Sequence, residues 1–212
     1  SSPQYYSVSD EEVTVYLEHE GQIVQIEFLN ESVYTNVSIN KSGYTEVVPG
    51  QEIRYTFKDI GNNSTVPLDS FYWRDTLPTD AMRLDKIITG TYSARLNYKV
   101  VFQTNLSNTQ RVLADNLNTL QNYTLDASPA ALGLASNEYV TQVTFLFGRV
   151  PGGFRQVETP YIYCDVLSDL PHEYRFANKC DVGGMWRNQW IQATDRWVTI
   201  IYRGGPVPTL PR

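Results

Sequence analysis

Apolar and polar positions alternate along most of this chain. Residues 13–17 and 23–28 alternate on either side of Glu20-Gly21, which is the pattern of a hairpin. Alternation returns at 33–41, 53–57, 70–75, 92–103, 139–147, 161–166, 174–182 and 197–202, with breakers such as Pro49-Gly50, Gly61-Asn62-Asn63 and Leu77-Pro78 between the runs. Gly152-Gly153 and Gly183-Gly184 read as turns. One stretch departs from this pattern. Residues 109–122 carry Val112, Leu113, Leu117 and Leu120 at roughly helical spacing and predict a short helix, followed by a small-residue loop at 127–136. Many short strands joined by turns predict a mostly β fold: an immunoglobulin-like β-sandwich with one short helical insert.

Three polar residues fall on the wrong face of this pattern. Successive side chains in a strand point to opposite faces. Lys41 therefore shares a face with Val37 and Ile39, Asp75 with Phe71 and Trp73, and Asn178 with Phe176, Cys180 and Val182. A buried charge must be paired or neutralised. An amine, a carboxyl and an amide sent inward together point to chemistry among themselves: a Lys41–Asn178 amide cross-link, with Asp75 as its acid–base group. Burial lowers a lysine pKa and raises a carboxyl pKa, so one dry pocket prepares both groups. Glu138 is the runner-up acid and Lys86 the runner-up amine. Two plainer readings stand beside this one. Lys41 and Asp75 form a buried ion pair with Asn178 as a neighbour, or Lys41 ends its strand and reaches water.

Composition narrows the partners. The chain has 212 residues, 42% hydrophobic and 19% charged, which fits a folded protein with a sizeable core. A net charge of -6 argues against a nucleic-acid partner. No apolar run approaches the ~18 residues of a membrane span, and the polar opening at Ser1 shows no signal peptide. These features predict a piece of a longer extracellular protein. Cys164 and Cys180 lie on two apolar runs and form either a disulfide or two buried thiols.

Several motifs resemble a known class. Residues 48–57, with Val48-Pro49-Gly50-Gln51-Glu52-Ile53, are followed by Gly61-Asn62-Asn63 and by Asp75-Thr76-Leu77-Pro78. Their order resembles the isopeptide-forming, immunoglobulin-like domains of bacterial surface proteins and pilins. Phe176-Ala177-Asn178-Lys179-Cys180-Asp181-Val182 is similar to their closing strand, with Cys180 where a small residue is usual. In the collagen-adhesin type the lysine comes first, then the acid, then the asparagine; Lys41, Asp75 and Asn178 keep that order. The stretch 105–136 departs from the compact pattern.

The tail Thr209-Leu210-Pro211-Arg212 resembles the opening of the Leu-Pro-x-Thr-Gly sorting signal. The resemblance implies a Gram-positive, cell-wall-anchored adhesin or pilin, joined to peptidoglycan by a sortase beyond residue 212. The implied organisation is a hairpin at 1–32, similar to the end of a preceding prealbumin-like domain, an isopeptide-type domain at 33–203, and a linker at 204–212.

Other readings rank lower. Trp186, Trp190 and Trp197 form a candidate surface for a glycan or host protein, against a packing role. His19 and His172 are the only histidines and sit in no metal-binding spacing. Cys164 with His172 as a thiol nucleophile, or Asp165, Asp169 and Asp181 around calcium, are weaker still. No cofactor is implied, and an enzyme with turnover is not expected, although paired carboxylates for glycoside hydrolysis approach in space rather than in sequence. Asn36, Asn63, Asn105 and Asn122 open Asn-x-Ser/Thr triplets, read here as composition.

Overall fold

The computed structural model describes residues 4–8, 12–29 and 32–204. The chain divides into two compact units, Ser1–Tyr34 and Thr35–Arg212. The tail motif at 209–212 lies outside the described residues, as does the linker beyond Gly204.

The first unit is a three-stranded antiparallel sheet of β1 (Gln4–Val8), β2 (Glu12–His19) and β3 (Gln22–Leu29). The expected hairpin is present, pairing Glu12 with Leu29 and His19 with Gln22. Its turn places both Glu20 and Gly21 at positive φ, 50° and 73°. The strand β1 adds to its β2 side.

The second unit is a β-sandwich. Seven strands form one sheet in the order β10-β9-β12-β7-β14-β15-β5, and five form the other in the order β11-β8-β13-β6-β4. The first sheet contains β5 (Glu46–Val47), β7 (Leu68–Thr76), β9 (Asn97–Thr104), β10 (Ser107–Asn118), β12 (Val140–Val150), β14 (Arg175–Trp186) and β15 (Gln189–Ile201). The second contains β4 (Val37–Ser42), β6 (Glu52–Asn62), β8 (Met82–Ile88), β11 (Thr124–Asp126) and β13 (Tyr161–Val166). Among the described residues, all strand pairs are antiparallel except β5 with β15, which is parallel.

The core lies between the sheets and is aromatic. Trp73 stacks on Phe145 at 4.1 Å between ring centroids and tilts against Phe57 of the opposite sheet at 4.8 Å. The Trp73 indole N–H donates to the Tyr92 hydroxyl at 3.0 Å, which donates to the Thr89 carbonyl at 3.1 Å. The polar tips of these two buried rings are thereby satisfied, as burial requires.

Two local expectations are corrected. The one short helix of the second unit is α1 (Pro129–Leu132), N-capped by Ser128 and ended by Gly133 at φ 63°. It therefore sits inside the stretch read as loop. Residues 109–122 do not form a helix; most of them belong to β10, which pairs with β9. The β10 register slips between Ser107 and Arg111, between Val112 and Ala114, and again between Ala114 and Leu117. The last two slips each insert one residue and reset the alternation, so a bulged strand imitates helical spacing.

Gly183 and Gly184 are likewise not a turn but part of β14. The β14–β15 turn comes later, at Arg187 and Asn188, with φ 47° and 64°, as a two-residue hairpin loop requires. A Cβ on Gly184 would come within 2.8 Å of the Leu68 Cβ, so glycine lets β14 lie close on β7.

Candidate functional site

The inward-facing trio meets in the second unit. Strand β4 alternates so that Val37, Ile39 and Lys41 are buried while Asn40 is exposed. On β7, Phe71, Trp73 and Asp75 are all fully buried. On β14, adjacent to β7, Cys180 stands opposite Asp75 in register, which places Asn178 one step along the same inner face. Lys41 reaches across from the facing sheet. Its Nζ lies 2.5 Å from Asp75 Oδ1, and neither side chain has solvent exposure. The Asn178 amide Nδ2 donates to the other carboxylate oxygen, Asp75 Oδ2, at 3.3 Å. One carboxyl group thus bridges the amine and the amide.

The pocket is dry and aromatic. Lys41 Nζ sits 4.2 Å from the Tyr55 ring centroid and 4.4 Å from that of Phe57. Burial pushes the Lys41 amine below its ordinary value of 10.5, against the opposing pull of Asp75. Burial also pushes Asp75 above its ordinary 3.8, against the pull of Lys41 and the hydrogen bond from Asn178. Both shifts favour a neutral amine beside a neutral acid. Among the described residues, Asn178 Oδ1 and the Tyr55 hydroxyl find no hydrogen-bond partner.

Nothing in the local pattern marks the group that seats β4. The Lys41 backbone N–H donates to Asp195 Oδ2 on β15 at 2.7 Å. This bond ties the edge of one sheet to the other beside the pocket. Asp195 is an ordinary polar position of an alternating strand, so only the packing of β15 against β4 across the two sheets reveals it.

The remaining candidates lie elsewhere or act differently. Glu138 accepts from the Thr104 hydroxyl at 2.8 Å and pairs with Arg111 at 3.2 Å. Lys86 packs over the Tyr163 ring at 4.4 Å. Cys164 and Cys180 are both free and buried, which corrects the disulfide alternative. They belong to β13 and β14, in opposite sheets. Facing sheets stand about 10 Å apart, beyond the roughly 7 Å Cα separation that a disulfide tolerates. Burial pushes Cys180 up to about 12 and Cys164 well up, so both remain thiols.

His172 accepts from the Arg203 backbone N–H at 3.0 Å and packs on Tyr202, not on Cys164. Asp181 is held by Arg74 at 2.6 Å. Among the described residues no group of His, Cys, Asp and Glu is placed to hold a metal ion, and no helix is long and apolar enough to cross a membrane.

The tryptophans do not form one surface. Trp186 and Trp190 flank the β14–β15 turn, whereas Trp197 pairs with Asn178 in mid-strand. The Trp197 indole donates to the Tyr44 carbonyl at 2.8 Å. Trp190 is 50% exposed and meets the Tyr72 ring edge-on at 5.9 Å.

No protein-family model matches the chain, and no curated protein matches its sequence. The solved structures similar to it include three at 10% identity. The macrocyclization catalyst AvmM of alchivemycin A biosynthesis gives a TM-score of 0.31 over 90% of this chain and 97% of its own. The collagen-binding domain of a Staphylococcus aureus adhesin gives 0.33 over 80% and 99%. A structure holding the manganese lipoxygenase of Gaeumannomyces graminis and part of the zonadhesin of Komagataella pastoris gives 0.29 over 92% and 58%.

Proposed function

We propose that this chain is a structural module of an extracellular surface protein, locked by an amide bond that it forms itself between Lys41 and Asn178. The observation that carries the reading is the fully buried trio, with Asp75 2.5 Å from the amine and 3.3 Å from the amide. A buried ion pair needs no amide against its second carboxylate oxygen, and an amine that reaches water would not be fully buried.

The chemistry follows from the placement. Proton transfer from Lys41 to Asp75 leaves a neutral amine, the form able to attack a carbonyl carbon. The Lys41 nitrogen adds to Asn178 Cγ, and Oδ1 takes up negative charge. Asp75 gives its proton to Nδ2, the atom it already holds, and takes one from the former lysine nitrogen. The Cγ–Nδ2 bond breaks, ammonia leaves, and a secondary amide remains. Each chain reacts once, so the site is a self-modifying lock without turnover.

The bond would join β4 of one sheet to β14 of the other. Lys41 and Asn178 are 137 positions apart; by the loop-closure model for disulfides, a tie of that length stabilises by about 4–5 kcal/mol. A covalent bridge between sheets also resists shear and proteolysis, which suits a tethered surface protein. The likeness of Leu210-Pro211 to a sorting signal supports anchoring to peptidoglycan by a sortase, with the module serving an adhesin or pilin.

The test is the intact mass of the denatured, reduced chain. It is expected to lie below the sequence mass by one ammonia, about 17 Da. Proteolysis should yield one branched peptide joining residues 41 and 178. A mass equal to the sequence mass removes this function.

A further inference from the structure

The buried site contains two polar atoms that its resting hydrogen bonds leave over. Asn178 Oδ1 and the Tyr55 hydroxyl both lack partners among the described residues. Each such group costs about 1–3 kcal/mol when buried, and two in one pocket call for an explanation. The Tyr55 hydroxyl lies against the Asn178 amide and the Thr199 side chain. Strand β6 brings it there: Ile53, Tyr55 and Phe57 share the inner face, and Phe57 is the register partner of Lys41. Gly43 fixes the ring, since a Cβ at that position would stand 2.9 Å from two of its carbons.

The donors around the amide are few. Asp75 is occupied with Nδ2, and Lys41 supplies the attacking nitrogen. The Thr199 hydroxyl hydrogen is committed to the Tyr44 carbonyl at 2.7 Å. Tyr55 presents a hydroxyl without a hydrogen-bond partner beside the same amide. We infer that Tyr55 is the oxyanion donor of the cross-linking reaction, its O–H bonding Asn178 Oδ1 as Cγ becomes tetrahedral.

Burial raises the phenol well above its ordinary 10.0, so it donates a hydrogen bond and keeps its proton. This role rests on the proposed Lys41–Asn178 bond and adds a third working side chain to Asp75 and Lys41. It also accounts for both orphaned atoms, because on this reading they come within bonding reach of each other as Cγ turns tetrahedral and Oδ1 moves. Such preorganised donors are the larger part of many acyl-transfer accelerations.

The experiment follows ammonia loss in chain freshly made by cell-free synthesis, sampled over time by intact mass. Tyr55→Phe removes one oxygen and is expected to slow the loss about a hundredfold, the effect of deleting one oxyanion donor. Its melting, compared in a Lys41→Ala background, should be unchanged or slightly higher, because an unpaired buried hydroxyl is gone. Tyr98→Phe, which deletes the other partnerless tyrosine hydroxyl, should leave the rate alone.

Gly43→Ala keeps every reacting group but displaces the ring, and should also slow the reaction; it decides the matter if Tyr55→Phe does not fold. Ammonia loss at the wild-type rate in the folded variant overturns the role of Tyr55 and leaves the cross-link standing. A wild-type chain that never loses ammonia overturns both.

Discussion

The paired strands β7 and β14 meet a base with an acid on each of their faces, Arg74 with Asp181 outside and Lys41 of β4 with Asp75 inside, and the two faces behave differently. On the outer face, Arg74 grips Asp181 through two parallel bonds, Nε to Oδ1 at 2.9 Å and Nη2 to Oδ2 at 2.6 Å. Tyr72 adds a bond to Asp181 at 2.7 Å, and Gln192 donates to the Tyr72 hydroxyl at 2.9 Å. The two charged side chains are 32% and 17% exposed.

On the inner face, one residue along, Asp75 meets Lys41 with no exposure at all and orphaned atoms beside it. The outer pair is fork-shaped, wet at its rim and held on every side, which fits a girder between strands. The inner pair is a point charge against a carboxyl in a dry cage, where neutralising both groups relieves the burial. Solvent and complete hydrogen bonding make an ion pair structural; on the proposed reading, their absence makes the same pairing reactive.

The largest separation of the two faces is expected from Lys41→Ala. It deletes the proposed covalent tie, worth about 4–5 kcal/mol, and leaves Asp75 buried without its cation, a state that typically costs about 3–5 kcal/mol. The two effects overlap, but the denaturation midpoint should fall far below that of the wild type, and the variant should keep its full sequence mass. An unchanged midpoint would show that the inner pair contributes no more than an exposed one.

A smaller effect sharpens the electrostatic half of the contrast. In Lys41→Met the pull that opposed desolvation of Asp75 is gone, so its carboxyl sits higher still above 3.8. Between that ordinary value and the raised one, the folded chain holds a proton that the unfolded chain has released. Stability is therefore greatest below about pH 4 and declines as pH rises through the folded value, by up to about 1.4 kcal/mol per pH unit. Thermal melts of Lys41→Met from mildly acidic to mildly basic buffer should show a falling midpoint. A midpoint that rises over this range would mean that Asp75 is solvated or has found another cation.

The two faces were legible in sequence to different degrees. Strict alternation in 37–41, 71–75 and 176–182 was enough to send Lys41, Asp75 and Asn178 inward, because a period of two allows no other assignment once the apolar face is known. Their meeting was expected from the shared inward placement and could be read off no single strand. It depends on β4 lying across the sandwich from β14 and β15 and on the pairing of Cys180 with Asp75, which alternation along a strand does not contain.

Tyr55 was visible as an inward aromatic, yet nothing local ties its hydroxyl to residue 178. The outer cluster was missed for the same reason: Tyr72, Arg74 and Asp181 read as the plain polar face of two strands. Where the reading failed outright, in β10 and β8, bulges had broken the alternation. Strand β8 holds Met82 and Leu84 inward, then shifts phase to Ile87, with the register slip lying between Tyr163 and Cys164 of its partner β13.

The smallest effect tests whether the faces are independent. Arg74→Met keeps an unbranched apolar side chain and removes both bonds to Asp181, together with the guanidinium over the Tyr72 ring. Because about a third of the Arg74 side chain is exposed, its ion pair is partly screened, and the loss should be about 1 kcal/mol. Urea denaturation is the appropriate measurement, made on chains that have already lost ammonia. The cross-linking rate itself should not change, since the Asp75 and Asn178 backbones are fixed by the β7–β14 ladder and not by the outer side chains. A slower ammonia loss in Arg74→Met would break the comparison: it would mean that the outer pair sets the spacing of β7 against β14, and that inner reactivity is tuned through the sheet from its wet side.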